Sequence, residues 1–153
     1  MHVIYHCFGS AHSSVVSAAI HLGRLPDHVT PSVSTIMELE DFDRARTDTI
    51  GFLYYKGRDT NGHDVYTIGF GSQSPIVKKA FLDMLKINGE DLNGYCLVES
   101  LSSLHYFGII GGVFSRRYGW VKTGRYLAAK GIQKSYPKLV ALVRQTKALL
   151  NNR

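Results

Sequence analysis

The sequence predicts an α/β fold: one three-layer domain, doubly wound and P-loop-like, with a mostly parallel sheet and one antiparallel hairpin. Three observations predict it. Short apolar runs rich in β-formers, VIYHCF and YCLV, are separated by segments of helical period. Strands joined through helices pair in parallel by right-handed crossovers, which places helices on both faces. Asn61-Gly62 stands between two alternating runs, a hairpin signal. At 153 residues, with no internal repeat and no linker-like stretch, residues 1–153 read as a single domain.

Each element follows from local signals. Val3–Phe8 is a central strand, and Gly9–His12 is the turn after it. Ser13 or Ser14 starts a helix that Gly23 stops after Leu22. Pro26 and Pro31 make residues 24–33 a loop. A second helix is expected over Ser34–Arg46, with Thr35 and Glu38 at capping-box spacing. Phe52–Lys56 and Asp64–Phe70 form the hairpin. Ser74-Pro75 opens a third helix with Ile76, Val77, Ala80, Phe81, Met84 and Leu85 on its apolar face, and Asn88-Gly89 closes it. Tyr95–Val98 is a buried strand ending in Glu99. Residues 103–118 read as a helix carrying Gly108, Gly111 and Gly112, each costing about 1 kcal/mol relative to alanine. Tyr126–Ala129 is expected as a last short strand, and Pro137–Leu150 as an amphipathic helix with Leu139, Leu142, Val143 and Leu149 on one side.

Composition limits the function classes. Apolar residues make up 44% and charged residues 20%, as in globular proteins, and no apolar run reaches the roughly 20 residues that span a bilayer. The first residues lack a basic region, and His6, Gly9 and His12 interrupt their apolar stretch, which argues against a signal peptide. Cys7 and Cys96 are expected to be reduced thiols of a cytoplasmic protein. The net charge of +6 is unevenly spread. Residues 1–99 carry eight basic and twelve acidic residues; residues 100–153 carry ten basic and none acidic. Such a segment is either a solvated face or a surface for phosphates or nucleic acid.

The most informative stretch is HCFGSAHSS, residues 6–14. It lies at a strand-to-helix corner beyond the carboxyl end of the first strand, where open α/β sheets bind ligands. A helix starting there directs unpaired amides and a partial positive charge at the corner, and phosphate is the natural guest. Residues 6–13 have the length of the phosphate-binding pattern G-x-x-x-x-G-K-[ST]. His6 replaces the first glycine, Ala11 the second, and His12 the lysine; Ser13 matches. Glu99, ending an apolar strand, resembles the acid that helps hold Mg²⁺ in such folds.

Candidate site residues follow from that comparison. His12 and Glu99 are the candidate catalytic groups. Gly9, Ser10, Ala11, Ser13 and Ser14 are the candidate phosphate contacts, with Arg116 and Arg117 as a charge-neutralising pair. Ser13 and Ser14 read equally well as plain helix caps, Glu99 as a strand-end carboxylate, and His6 as a core histidine. The pattern H-C-x5-R begins correctly at His6-Cys7, but Ser13 stands where the arginine belongs, removing the main oxyanion clamp of a cysteine phosphatase. His6, Cys7 and His12 match no structural zinc spacing.

The segments IYHCFGSAHSSVVSAAIHLGRLP, GIIGGVFSRRYG and KSYPKLVALV resemble a family of small, functionally uncharacterised bacterial proteins, mainly from spore-forming Firmicutes. The marks are His6-Cys7, Gly9-x-x-His12-Ser13-Ser14, and Gly111-Gly112 with Ser115-Arg116-Arg117. The resemblance implies a bacterial, cytosolic setting and suggests that the corner and the arginine pair belong together. Members of that family often carry a second glycine at the position of Ser10.

Three functions are compatible with these features. The first is binding of a phosphorylated, nucleotide-like ligand at the corner with Mg²⁺ as cofactor, extending to phosphoryl transfer or phosphoester hydrolysis. The second is a non-catalytic module that sequesters or senses a nucleotide signal, favoured by the missing lysine. The third is nucleic-acid binding through the acid-free last third and its aromatics Tyr106, Phe107, Tyr118, Trp120, Tyr126 and Tyr136, for which no motif speaks.

Overall fold

A computed structural model of the chain describes residues 1–44, 47–100 and 121–152. Its elements are β1 (His2–Cys7), α1 (Ser13–His21), α2 (Val33–Met37), β2 (Tyr54–Arg58), β3 (Asp64–Gly69), α3 (Ser74–Ile87), β4 (Tyr95–Glu99) and α4 (Val121–Asn151). The four strands form one sheet in the order β2-β3-β1-β4. β1 runs parallel to β3 and β4, and β2 pairs antiparallel with β3. The fold is α/β, as the alternation of strands and helices predicts.

Period-two alternation along β1 sorts its side chains between two cores. Val3 and Tyr5 face a large core with Val16, Ala19 and Ile20 of α1 and Ile132, Tyr136 and Leu139 of α4. Ile4 faces a smaller one with Ile68, Phe70, Val77 and Phe81. The connection from β1 to β3 therefore winds over one face through α1, and that from β3 to β4 over the other through α3. Neighbouring strands β1 and β3 send their chains to opposite faces, the arrangement that places ligands at carboxyl ends. α3 covers its face thinly: none of its residues is buried, and Ile76 and Met84 of the expected apolar face are mostly exposed.

Several local expectations are corrected. Tyr126–Ala129 is not a strand but part of α4, which continues through Pro137. Buried Ala128, Ala129, Ile132, Tyr136, Leu139, Val140 and Val143 recur at helical spacing and hold that segment to the core. Pro137 lacks an N–H for the Gln133 carbonyl, but the packed face keeps the helix together across it. Leu149 is exposed instead of facing inward. The second helix is only Val33–Met37. Glu40, Asp41 and Asp43 would oppose the dipole at a longer helix's end, and Asp43 instead adopts φ 60°, which stops helical backbone. Its cap is Ser32, whose Oγ accepts from the Thr35 amide at 3.1 Å. In α3 the cap position is Gln73, with Ser74 the first helical residue. The expected glycine-bearing helix, with Arg116, Arg117 and the aromatics 106, 107, 118 and 120, lies outside the described residues.

Cys7 and Cys96 are free thiols, Cys7 buried and Cys96 half-buried. Among the described residues no helix is long and apolar enough to cross a membrane.

Candidate functional site

The corner after β1 is drawn tight by its own backbone. Phe70 N–H donates to Cys7 O at 3.0 Å and Gly71 N–H to Phe8 O at 2.8 Å, so the chain leaving β1 stays against the end of β3. Gly69 permits this approach: a Cβ there would lie 3.0 Å from Gly9 C, Gly9 Cα and Phe8 O, all rigid backbone. The chain then reverses at Ser10, whose φ of 53° is left-handed. Ser10 Oγ donates to Thr67 Oγ1 of β3 at 2.9 Å, a local compensation for backbone strain of about 1–2 kcal/mol. A glycine fits this conformation without strain.

Helix α1 begins immediately afterwards. Val16 N–H reaches His12 O at 3.0 Å, so the amides of Ser13, Ser14 and Val15 lack acceptors within the helix. His12 occupies the cap position without a side-chain cap bond. Its ring turns instead to Asp43, with Nε2–H donating to Oδ1 at 2.9 Å, while the Asp43 amide donates to Ala11 O at 2.9 Å. A carboxylate only accepts, so this bond puts a hydrogen on Nε2 and, in the neutral ring, the lone pair on Nδ1. The His12 side chain is 16% exposed and Asp43 7%. The Phe42 ring stands edge-on to the imidazole at 5.2 Å.

The other candidate residues divide by what occupies their polar atoms. Ser14 Oγ lies 3.1 Å from Cys7 Sγ. Ser13 is 1% exposed, and its Oγ has no partner among the described residues. Ala11 and Ser10 are buried, and Gly9 is half-buried. Glu99 is exposed at the end of β4, in register with His6 of β1. Among the described residues no group of three His, Cys, Asp or Glu could hold a metal ion.

His6 and Cys7 alternate along the strand and face opposite sides of the sheet, so they do not act together as ligands or as a nucleophile pair. Cys7 sits under α1 and is 7% exposed. His6 packs 4.7 Å from the Phe70 ring, 1% exposed. Burial, with a contribution from Lys78, pushes its pKa down to about 4 and keeps it neutral.

Sequence reading missed three participants. Asp43 and Thr67 lie far along the chain from their partners, and neither stands in a motif. Ser100, whose amide donates to His6 O at 2.8 Å, carries a second buried hydroxyl at this end of the sheet with no partner among the described residues.

The opposite end of α1 holds a second polar cluster. Tyr5 O–H donates to His21 Nδ1 at 2.8 Å, and His21 Nε2–H donates to Asp59 Oδ2 at 3.0 Å. Asp59 also receives His63 Nδ1–H at 3.0 Å and the amides of Asn61 and His63 at 2.9 and 2.8 Å.

A family model described as a protein of unknown function (DUF3189) matches residues 2–148. The chain matches none of the curated proteins and none of the solved structures compared with it.

Proposed function

We propose that this chain, which belongs to the DUF3189 family of proteins of unknown function, binds a phosphorylated, nucleotide-like ligand at the β1–α1 corner. The observation that carries the reading is the Ser13 hydroxyl. It is buried without a partner among the described residues, at the first residue of a helix whose leading amides also lack intrahelical acceptors. Leaving such a hydroxyl unsatisfied costs about 1–3 kcal/mol, and a phosphate oxygen offsets that cost. The order strand, tight turn and helix, with the likeness to a phosphate-binding loop, supports the same reading. In it His12 takes the place of the loop's lysine, and Arg116 and Arg117 neutralise charge. Glu99 supplies one carboxylate toward Mg²⁺, which commonly takes its other oxygens from phosphate and water.

Thermal unfolding with nucleotides, sugar phosphates and inorganic phosphate, with and without Mg²⁺, tests it. A ligand at about 100 times its Kd adds about 2.7 kcal/mol. The shift is expected to fall in Ser13→Ala and in His12→Ala, and an unchanged shift in both variants overturns the reading. Turnover of the bound ligand separates an enzyme from a module that only sequesters or senses the nucleotide.

One observation favours a second reading, binding of nucleic acid by α4. As a helix, residues 126–138 place Tyr126, Lys130, Lys134 and Lys138 at i, i+4 spacing on an exposed stripe, with about 6 Å of rise per step. The Lys130 ammonium lies 5.9 Å from the Tyr126 ring centre, and no acidic residue occurs in α4. Affinity for single-stranded RNA or DNA is then expected to fall steeply with salt. Salt-independent binding rules this reading out.

A further inference from the structure

We infer that His12 accepts a phosphoryl group on Nδ1, making the corner a phosphohistidine site. The inference rests on the phosphate-binding reading above and goes beyond it, from holding a phosphate to forming a covalent bond with one.

The geometry selects both the residue and the atom. Asp43 Oδ1 accepts a hydrogen bond from Nε2–H at 2.9 Å and fixes, in the neutral ring, the tautomer in which Nδ1 carries the lone pair. Nδ1 has no partner among the described residues. His12 stands immediately before α1, at the end where the amides of Ser13, Ser14 and Val15 have no intrahelical acceptor and can donate to phosphoryl oxygens. The buried hydroxyl of Ser13, which has no partner among the described residues, belongs to the same turn. The alternative nucleophiles nearby are less suited. The hydroxyls of Ser10 and Ser14 are engaged by Thr67 and Cys7, and Ser13 Oγ has no base within hydrogen-bond distance among the described residues to take its proton. His21 uses both ring nitrogens.

Asp43 is the positioning residue. It grips the corner twice, through its carboxylate on His12 and its amide on Ala11, from a left-handed backbone. Such a conformation in a residue other than glycine persists only where its surroundings hold it, and it recurs at functional sites.

The step balances with a nucleoside triphosphate as donor. The Nδ1 lone pair attacks the terminal phosphorus and an N–P bond forms. The bridging P–O bond breaks, and the nucleoside diphosphate leaves with the electron pair. No proton has to move, because Nε2 keeps its hydrogen. The ring becomes a phosphorylated imidazolium whose positive charge faces the Asp43 carboxylate.

The test incubates the full chain with ATP and Mg²⁺, and separately with phosphoramidate, a chemical donor to histidine. It reads intact mass, the acid and base stability of the label, and the modified position. One phosphoryl group per chain is expected, labile in acid and stable in base, located at His12. It is expected in His28→Gln, an exposed control, and absent in His12→Gln. Asp43→Asn tolerates the left-handed backbone but frees the tautomer, so labelling is expected to slow about 100-fold or more while phosphate-induced stabilisation persists. An acid-stable label on a serine, or no label under conditions where ATP or phosphate shifts the melting temperature, overturns the inference and leaves the binding reading standing. No shift and no label overturns both. Undiminished labelling in Asp43→Asn removes Asp43 from the site.

Discussion

Helix α1 ends in a histidine–aspartate pair at both termini, and the two pairs differ in how completely their atoms are used. At its last residue, His21 spends Nδ1 on Tyr5 and Nε2 on Asp59, and the Asp59 carboxylate receives two imidazoles and two amides. Burial raises the Asp59 pKa, but the bonds from His21, the His63 amide, the His63 ring and the Asn61 amide outweigh it and hold the carboxyl well below its ordinary range. Burial lowers the His21 pKa more than Asp59 raises it, so this histidine is held neutral. At the cap of the same helix, His12 uses one nitrogen and keeps the other, at 16% side-chain exposure rather than 0%. A saturated pair fastens the hairpin turn to the helix. In the unsaturated one, Nδ1 has no partner among the described residues, and it is the atom proposed to take the phosphoryl group.

The largest effect that separates the two ends is on stability. Asp59→Ala leaves the buried His21 N–H, the His63 N–H and two turn amides without their acceptor and is expected to cost about 3 kcal/mol or more in denaturant unfolding, since each unsatisfied buried donor costs about 1–3 kcal/mol. Asp43→Ala leaves His12 near water and is expected to cost about 1–2 kcal/mol. Equal losses would break the comparison.

The next effect concerns acid. The folded His6 pKa, about 4, lies below the unfolded value of 6.5, so the unfolded chain binds more protons between them. Stability is therefore full above pH 6.5 and falls as the pH drops toward 4. Between pH 7 and pH 5 His6 alone is expected to remove about 2 kcal/mol. His21 contributes with the same sign in that range, and Asp59 only below its ordinary value of 3.8. Unfolding free energies at pH 7, 6 and 5 check this, and His6→Leu is expected to flatten the slope. An unchanged slope in that variant assigns the acid sensitivity to His21, and so to the saturated end.

What was legible in the sequence was local. The apolar run of β1, the turn after it, the start of α1 and the Asn61-Gly62 hairpin are each written in a few adjacent residues, and each stands in the structure. The candidate residues Gly9, Ser10, Ala11, Ser13 and Ser14 lie at one corner because they are nearly contiguous in the chain. Asp43 was not legible. Its role depends on a left-handed backbone angle and on a partner 31 positions away, and neither leaves a pattern. Tyr126–Ala129 misled because four apolar residues between glycines fit either period, and the decision came from packing against β1 and α1. Pro137 read as a helix start because proline favours the first turn, yet a core-facing stripe on both sides outweighed the missing bond.

The sheet order has a consequence for biosynthesis. β1 lies between β3 and β4, so His2 must pair with Asp64 on one side and Tyr95 on the other. A ribosome adding 5–20 residues per second delivers the β4 partner on the order of 5–20 s after β1. For the last third of that interval β1, the most buried strand of the sheet, has β3 beside it but still lacks β4 on its other edge. A nascent chain stalled before β4 presents an open strand edge, the kind that pairs with other chains, and a chaperone that shields extended apolar segments would find its substrate there.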